Sequence, residues 1–219
     1  MTLPRPHTIL VAVAALLALP FALAAALQGL DGFDLAQRRP TRFLHAGDPA
    51  ASLSLFVHMV AGAAITVLAL LQTLPGLRAR HPAFHRRSGR LVIAAAMLTA
   101  LGGLAYIARQ GTIGGPGMSA GFALYGVLMA LAAARTWRFV GADVPRHRRW
   151  GLRLVWLAIG SWLYRVQYGL WYAATGGLGS TEAFDGPFDR VMVVGFFLPH
   201  LLLLELYLRR RPAPPLAPR

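Results

Sequence analysis

Three polar residues stand inside long apolar stretches of this chain, and their side chains are suited to chemistry within a membrane. They are His58, Arg165 and His200. Histidines on two helices can ligate the iron of a b-type haem, and an arginine can bind a haem propionate or a quinone oxygen. At a helical rise of about 1.5 Å per residue, His58 and His200 are expected within roughly 5 Å of the same depth. The sequence therefore makes these residues candidate ligands for haem b, with both histidines on the iron, or for a quinone.

Each of these residues also has a purely structural interpretation. A lone histidine in an apolar helix commonly hydrogen-bonds to a neighbouring helix. An arginine inside a membrane span is costly, so Arg165 either marks a ligand site or pairs with Asp185 or Asp189 from the following loop. Both interpretations remain open at this level.

The helix that carries His58 has one face made of small and polar residues. Gly62, Ile65, Ala69 and Gln72 fall close to His58 at 100° per residue. Small residues allow helices to approach, and a polar group in an apolar layer needs a partner. This face is therefore predicted to point into the helical bundle.

A second polar cluster is predicted where apolar stretches meet arginine-rich segments. Nearly the same phrase occurs twice, as His85-Arg86-Arg87 and as His147-Arg148-Arg149; it indicates either an internal two-helix duplication or two similar helix starts. Arginines beside helix N-termini bind anions, so an anionic lipid headgroup is the expected ligand. Alternatively, these residues only hold helices together. The predicted cluster consists of Gln72, His85, Arg86, Arg90, His147, Arg148, Arg153 and Glu205.

Glu205 is the carboxylate of this cluster, and the spacing predicts its partner. It precedes Arg209 by four residues, which favours an ion pair on the surface of one helix. Arg90 and Arg153 are the alternative partners.

Composition indicates a membrane protein. Of the 219 residues, 56% are hydrophobic and 14% charged, which leaves too little polar surface for a soluble globule. All 22 basic residues are arginine and the net charge is +14, but the arginines lie between apolar runs, so no nucleic-acid partner is expected. Because there is no cysteine, disulfides, thiolate zinc sites and cysteine-ligated iron–sulfur clusters are excluded.

Crossing a bilayer takes roughly 20 apolar residues, and six stretches qualify. The predicted fold is an all-α polytopic membrane bundle of about six helices, forming a single domain over residues 1–219. Most arginines fall on one side of this arrangement, which predicts cytoplasmic N- and C-termini in a bacterial inner membrane and a basic, proline-rich tail at 209–219. The predicted spans are 8–29, 51–74, 91–108, 118–140, 152–174 and 190–208.

The first span has a second interpretation. Arg5, the apolar run and small residues near Ala24 also fit a cleavable secretory signal. The uncharged run continues to Leu30, which is longer than a signal core needs and favours a retained helix.

Common catalytic motifs are absent from the sequence. It contains no nucleophile elbow, no HExxH, no Walker loop and no GxGxxG before a helix. A transporter would be expected to have more broken helices or intramembrane polar groups, although Pro199 beside His200 predicts one kink. Whether the chain is an enzyme stays open.

The run from His58 through Gln72 to the two His-Arg phrases, followed by Arg153, Arg165 and Glu205, resembles a predicted-membrane family known as domain of unknown function 2306. The resemblance covers 51–208. That family has no settled activity and is sometimes grouped with two-haem b-type cytochromes, so the resemblance implies a haem-linked role. Asparagine usually stands five residues before the glutamate in that family, whereas this chain has His200, which puts the His58–His200 pair in doubt.

The leading hypothesis from sequence is a membrane redox protein that binds haem b or a quinone near His58 and Arg165 and works with a membrane redox partner. The rival hypothesis is a non-catalytic membrane subunit, assembly factor or lipid-binding protein. A transporter ranks third.

Overall fold

The computed structural model describes residues 6–31 and 47–210, and within these ranges every regular element is a helix. The helices are α1 (Pro6–Asp31), α2 (Pro49–Leu71), α3 (Pro75–Arg80), α4 (Pro82–Gln110), α5 (Gly115–Arg138), α6 (Val144–Ala158), α7 (Gly160–Thr175), α8 (Pro187–Gly195) and α9 (Leu198–Arg210). The predicted outer loop at 30–50 and the tail at 209–219 fall largely outside the described residues.

Five helical segments are long and apolar enough to cross a membrane by length and composition. They correspond to five of the six predicted spans: α1, α2, α4, α5 and the continuous stretch of α8 and α9. The remaining predicted span, 152–174, is divided between α6 and α7, which have 15 and 16 residues. The all-helical, multi-pass architecture is confirmed, and six spans are not.

The division between α6 and α7 has a local cause. The hydroxyl of Tyr125 on α5 donates to the main-chain carbonyl of Leu157. A Cβ atom at Gly160 would lie 2.7 Å from the Tyr125 oxygen, so only glycine admits the ring here. A side chain inserted into a helical hydrogen-bond ladder bends or interrupts the helix.

The two His-Arg phrases are helical and precede the apolar spans. His85 and His147 are each the fourth residue of their helix, α4 and α6. Proline stands in the first turn of both helices, where its missing N–H costs nothing. α6 is also capped by Asp143, whose carboxylate accepts from the Arg146 main-chain N–H at 2.9 Å. Helix α4 consequently begins nine residues before its predicted apolar span.

Close helix packing determines the arrangement of the bundle. α2 packs against α1 and α4, α5 against α4 and α6, while α8 and α9 lie against α5 and α6. At the α2–α4 contact, a Cβ atom on Gly102 would lie 2.6 Å from the Ser54 carbonyl oxygen. At the α5–α8 contact, a Cβ atom on Gly121 would lie 2.8 Å from the Val193 carbonyl oxygen. Small residues at such contacts bring helices together where lipid provides no hydrophobic drive.

Asp48 joins the N-terminal end of α2 to the C-terminal end of α4. It caps α2 by accepting from the Ala51 N–H at 3.1 Å, and it accepts from Arg109 Nε at 2.8 Å and from Gln110 Nε2 at 3.0 Å. The Arg109 hydrogen bond is the main reason that the pKa of the Asp48 carboxyl falls from 3.8 to about 2.

We expect Gly102→Ala to lower the free energy of unfolding by about 1–3 kcal/mol, because the new methyl group meets backbone rather than a movable side chain. The measurement is reversible unfolding in mixed detergent micelles. Gly169→Ala is the matched control: no atom lies within 4 Å of its Cβ position, and a helical alanine leaves stability equal or raises it by up to about 1 kcal/mol. Equal losses in both variants would contradict the backbone contact.

We expect the stabilisation from Asp48 to depend on pH. A carboxyl whose pKa is lowered by folding stabilises the protein above its unfolded pKa of 3.8, and the effect is lost as pH falls through about 2. Asp48→Asn keeps a helix-capping residue but removes the charge. The melting temperature of the wild type should therefore exceed that of the variant at pH 5 and converge with it towards pH 2; a gap independent of pH would contradict the ion pair.

Candidate functional site

His58 is held between α2 and α4 in a single orientation. Its Nδ1 lies 2.6 Å from the Thr99 main-chain oxygen, its ring packs over Gly103, and its Cβ atom lies beside Gly102. A Cβ atom at Gly103 would lie 2.8 Å from Nδ1, so this glycine makes the room for the imidazole. A carbonyl oxygen can only accept, so Nδ1 carries the proton and Nε2 of the neutral ring is an acceptor. This is the histidine geometry that suits a metal or a hydroxyl donor.

Arg165 lies on the side of the bundle, where α7 faces α1. Its Nη1 donates to the Ser161 carbonyl at 3.0 Å, one turn towards the start of α7, and its guanidinium carbon lies 4.6 Å from the centre of the Phe21 ring. The residue is exposed, and no carboxylate in the described part of the chain pairs with it. Arg165 lies near enough to His58 for the two side chains to interact electrostatically.

The ion pairs suggested between Arg165 and the outer loop are not formed. Asp189 is fully buried and accepts from Tyr168 Oη at 2.7 Å, Ser180 Oγ at 2.8 Å and the N–H groups of Thr181 and Gly186. These donors, two of them main-chain groups around the start of α8, satisfy the carboxylate within the loop.

His200 lies in a different part of the bundle from His58. Its ring stacks on Trp156, with centroids 5.7 Å apart and planes at 25°, and it lines a cavity of about 570 Å³ beside Thr73, at the arginine-rich end of α2. Thr73 follows His58 by fifteen residues, which is about 22 Å along the helix. The predicted common depth of His58 and His200 is therefore not observed, because the turn at Phe196–Phe197 separates α8 from α9 and makes counting from a span end unreliable.

The arrangement does not fit a haem held by both histidines. One iron has to lie within bonding distance of two imidazoles, whereas these two rings contact different neighbours at separate levels of the bundle. His58 would hold a haem iron through its Nε2, since its Nδ1 is bonded to the Thr99 carbonyl oxygen. The described residues also contain no group of three or more His, Cys, Asp or Glu side chains that would hold another metal ion.

Glu205 pairs with Arg153 across the α6–α9 contact. Arg153 Nε donates to Oε1 at 2.5 Å and its Nη2 donates to Oε2 at 2.8 Å. The same guanidinium lies 4.6 Å from the Trp150 ring centre. The pairing with Arg209 favoured by spacing is wrong, because the α6–α9 contact places Arg153 where both of its parallel donors reach the carboxylate.

Other residues of the predicted cluster also join helices. Gln72 Nε2 donates to Ser88 Oγ at 2.8 Å and links α2 to α4, whereas His147 Nδ1 lies 3.0 Å from the Thr136 carbonyl oxygen and links α6 to α5. His85 has a buried Nδ1 without a hydrogen-bond partner in the described structure. Three members have other positions: Arg86 and Arg90 are exposed, and Arg148 lines the cavity next to His200.

Sequence analysis missed the aromatic neighbours of these sites. Phe21 covers Arg165, and Trp156 stacks on His200. Aromatic residues are ordinary in apolar helices, so no sequence signal distinguishes these two. Thr99 also gave no signal, because its contribution to His58 is a main-chain carbonyl.

We expect Glu205→Gln to lower the free energy of unfolding by about 1–2 kcal/mol, because it removes a partly buried, two-point charged hydrogen bond. Arg146→Gln is the control, since its contact with Asp143 is exposed and should contribute no more than about 0.5 kcal/mol. Chemical unfolding of the two variants in detergent measures the difference. A Glu205→Gln effect no larger than that of the control would contradict the assigned pairing.

Comparison with known proteins agrees with this membrane architecture. No curated protein and no solved structure matches the chain. One family model matches residues 55–208, which include α3 to α8, most of α2 and most of α9. The chain belongs to the family described as predicted membrane protein DUF2306.

Proposed function

We propose that this protein binds a quinone at the region shared by His58 and Arg165 and takes part in membrane redox chemistry. The observation that carries the proposal is the Arg165 guanidinium, which has no carboxylate partner among the described residues and lies on the side of a membrane bundle. An unpaired cation at this position is costly in lipid. A ligand oxygen would offset part of that cost.

The two side chains offer complementary hydrogen bonds. Arg165 only donates, which suits a quinone carbonyl oxygen, while the Nε2 of neutral His58 accepts, which suits the hydroxyl of the reduced form. The Phe21 ring next to the guanidinium adds a flat apolar surface for the ligand. His58 would hold the hydroxyl proton at Nε2, and Arg165 would orient the ring.

Haem b is a weaker proposal for the same region. His58 would supply one axial nitrogen and Arg165 a propionate contact, but His200 does not provide the second ligand. Haem would supply one-electron chemistry if bound there.

The topology that accompanies this function is also a proposal. We propose six crossings, with α6 and α7 together forming one of them, both termini in the cytoplasm and α1 retained in a bacterial inner membrane. The main-chain bonds from Ile159 N–H to Val155 O and from Leu163 N–H to Ile159 O support a nearly continuous path through the α6–α7 junction. The positive-inside distribution of the arginines supports the orientation.

The experiment measures the quinone retained by purified protein. Quinone is extracted from the protein in mild detergent and quantified by chromatography, for the wild type, His58→Gln and Arg165→Gln. We expect about one quinone per chain in the wild type and at least about a tenfold loss in each variant, which corresponds to about 1.4 kcal/mol.

Arg138→Gln is the matched control, because Arg138 is an exposed arginine at the end of α5, outside this region. Equal quinone content in all four proteins would contradict the proposal and favour the rival hypothesis, a non-catalytic subunit, assembly factor or lipid-binding protein. A visible spectrum of the same samples tests for haem. A Soret band in the wild type that disappears in His58→Gln would show that the ligand is haem and not a quinone.

A further inference from the structure

The arginine-rich end of the bundle contains a cavity that the proposed quinone site does not use. Its volume is about 570 Å³, within the range of sites for small molecules. Helices α1, α3, α6 and α9 contribute to its wall, together with the segment that joins α2 to α3. Because Trp156 lines the cavity nine residues before Arg165, the two sites are about 13 Å apart along the helices.

The polar part of the cavity wall is cationic. Arg78 and Arg148 both line it, together with His7 and His200. None of the described lining residues is acidic, and neither arginine forms an ion pair with a carboxylate in the described structure. Two unneutralised guanidinium groups at one cavity attract an anion and can donate several hydrogen bonds to it.

The remaining wall is mostly apolar. It is formed by Leu74, Leu152, Trp156, Leu203 and Leu204, with Thr73 and Tyr207 beside them. Leu203 is 66% exposed on the side of the bundle, so the apolar wall continues onto a surface that lipid would cover. A cavity with arginines at one part and an open apolar wall at another matches a molecule that has an anionic head and a hydrocarbon chain.

His200 is a further polar residue of the cavity wall. Its ring is stacked on Trp156 in the cavity wall, and its buried Nδ1 has no hydrogen-bond partner in the described residues. Buried polar atoms are normally paired, and an unpaired one calls for an explanation such as a bound group. The Nδ1 atom of this imidazole is therefore a polar atom that the neighbouring helices leave without a hydrogen bond.

We propose that this cavity binds an anionic amphiphile, with a phosphate or carboxylate head at Arg78 and Arg148 and a hydrocarbon chain along Leu152, Trp156 and Leu203. The second His-Arg phrase thereby acquires a specific role, since Arg148 belongs to it while its neighbour His147 holds α6 against α5. The site does not depend on quinone binding at His58 and Arg165.

Native mass spectrometry of the purified full chain tests the proposal. The probes are dioleoyl phosphatidylglycerol, dioleoyl phosphatidylcholine with the same acyl chains, and inorganic phosphate. We expect one tightly bound phosphatidylglycerol and at least a tenfold preference for it over phosphatidylcholine, equivalent to about 1.4 kcal/mol. The Arg78→Gln/Arg148→Gln double variant should lose that preference. Arg87→Gln, an exposed arginine of the same end that does not line the cavity, should keep it.

A second pair of variants tests the hydrocarbon part. Leu203→Trp fills the apolar wall, whereas Leu202→Trp adds the same bulk at a neighbouring exposed position that does not line the cavity. We expect phosphatidylglycerol to be lost only from Leu203→Trp, with both variants keeping the wild-type melting temperature.

The outcomes separate the sources of the anion. If bound phosphatidylglycerol resists displacement by inorganic phosphate, the result supports an amphiphile as the ligand. If only inorganic phosphate binds, and the double arginine variant loses it, the proposed anion site stands but the proposed hydrocarbon contact is overturned. Equal retention of both lipids, or an unchanged preference in the double variant, would overturn the proposal. Quinone content measured in the same samples reports separately on the proposed function.

Discussion

The contact between α2 and α4 is the constraint on which the rest of the bundle depends. Gly102 brings the two backbones so close that no larger residue fits beside the Ser54 carbonyl. Three polar connections then join the same helices at successive levels: Asp48 with Arg109, His58 with the Thr99 carbonyl, and Gln72 with Ser88. In an apolar layer, each of these groups would be costly without a partner.

This pairing explains which polar groups are available for binding. Half of the predicted polar cluster is bound by neighbouring helices: Gln72 by Ser88, His147 by Thr136, and Arg153 and Glu205 by each other. Arg165 on the side of the bundle and the two arginines that line the cavity near His200 form no ion pair with a carboxylate in the described structure. Candidate binding chemistry therefore lies where the bundle leaves polar capacity unused, and the repeated His-Arg phrase contributes to it mainly through Arg148.

Much of the fold was accessible from local sequence features. The face that contains His58, Gly62 and Ile65 was predicted to point into the bundle, and it packs against α4 because small residues and a polar residue recur at helical spacing. The break between α6 and α7 was not predicted. It depends on the hydrogen bond from Tyr125 on α5 to the Leu157 carbonyl, and the sequence around Gly160 gives no signal of that contact.

The sequence by itself determined the membrane class, the helical architecture, the family and the residue types able to bind a ligand, because hydropathy and helical periodicity act over neighbouring residues. Only the tertiary structure decided which polar groups meet. Glu205 pairs with Arg153 on another helix and not with Arg209 on its own helix. His200 stacks on Trp156 in a cavity away from His58. The reason is physical: depth and partner choice depend on the turns and close contacts between helices, which place residues distant in sequence side by side.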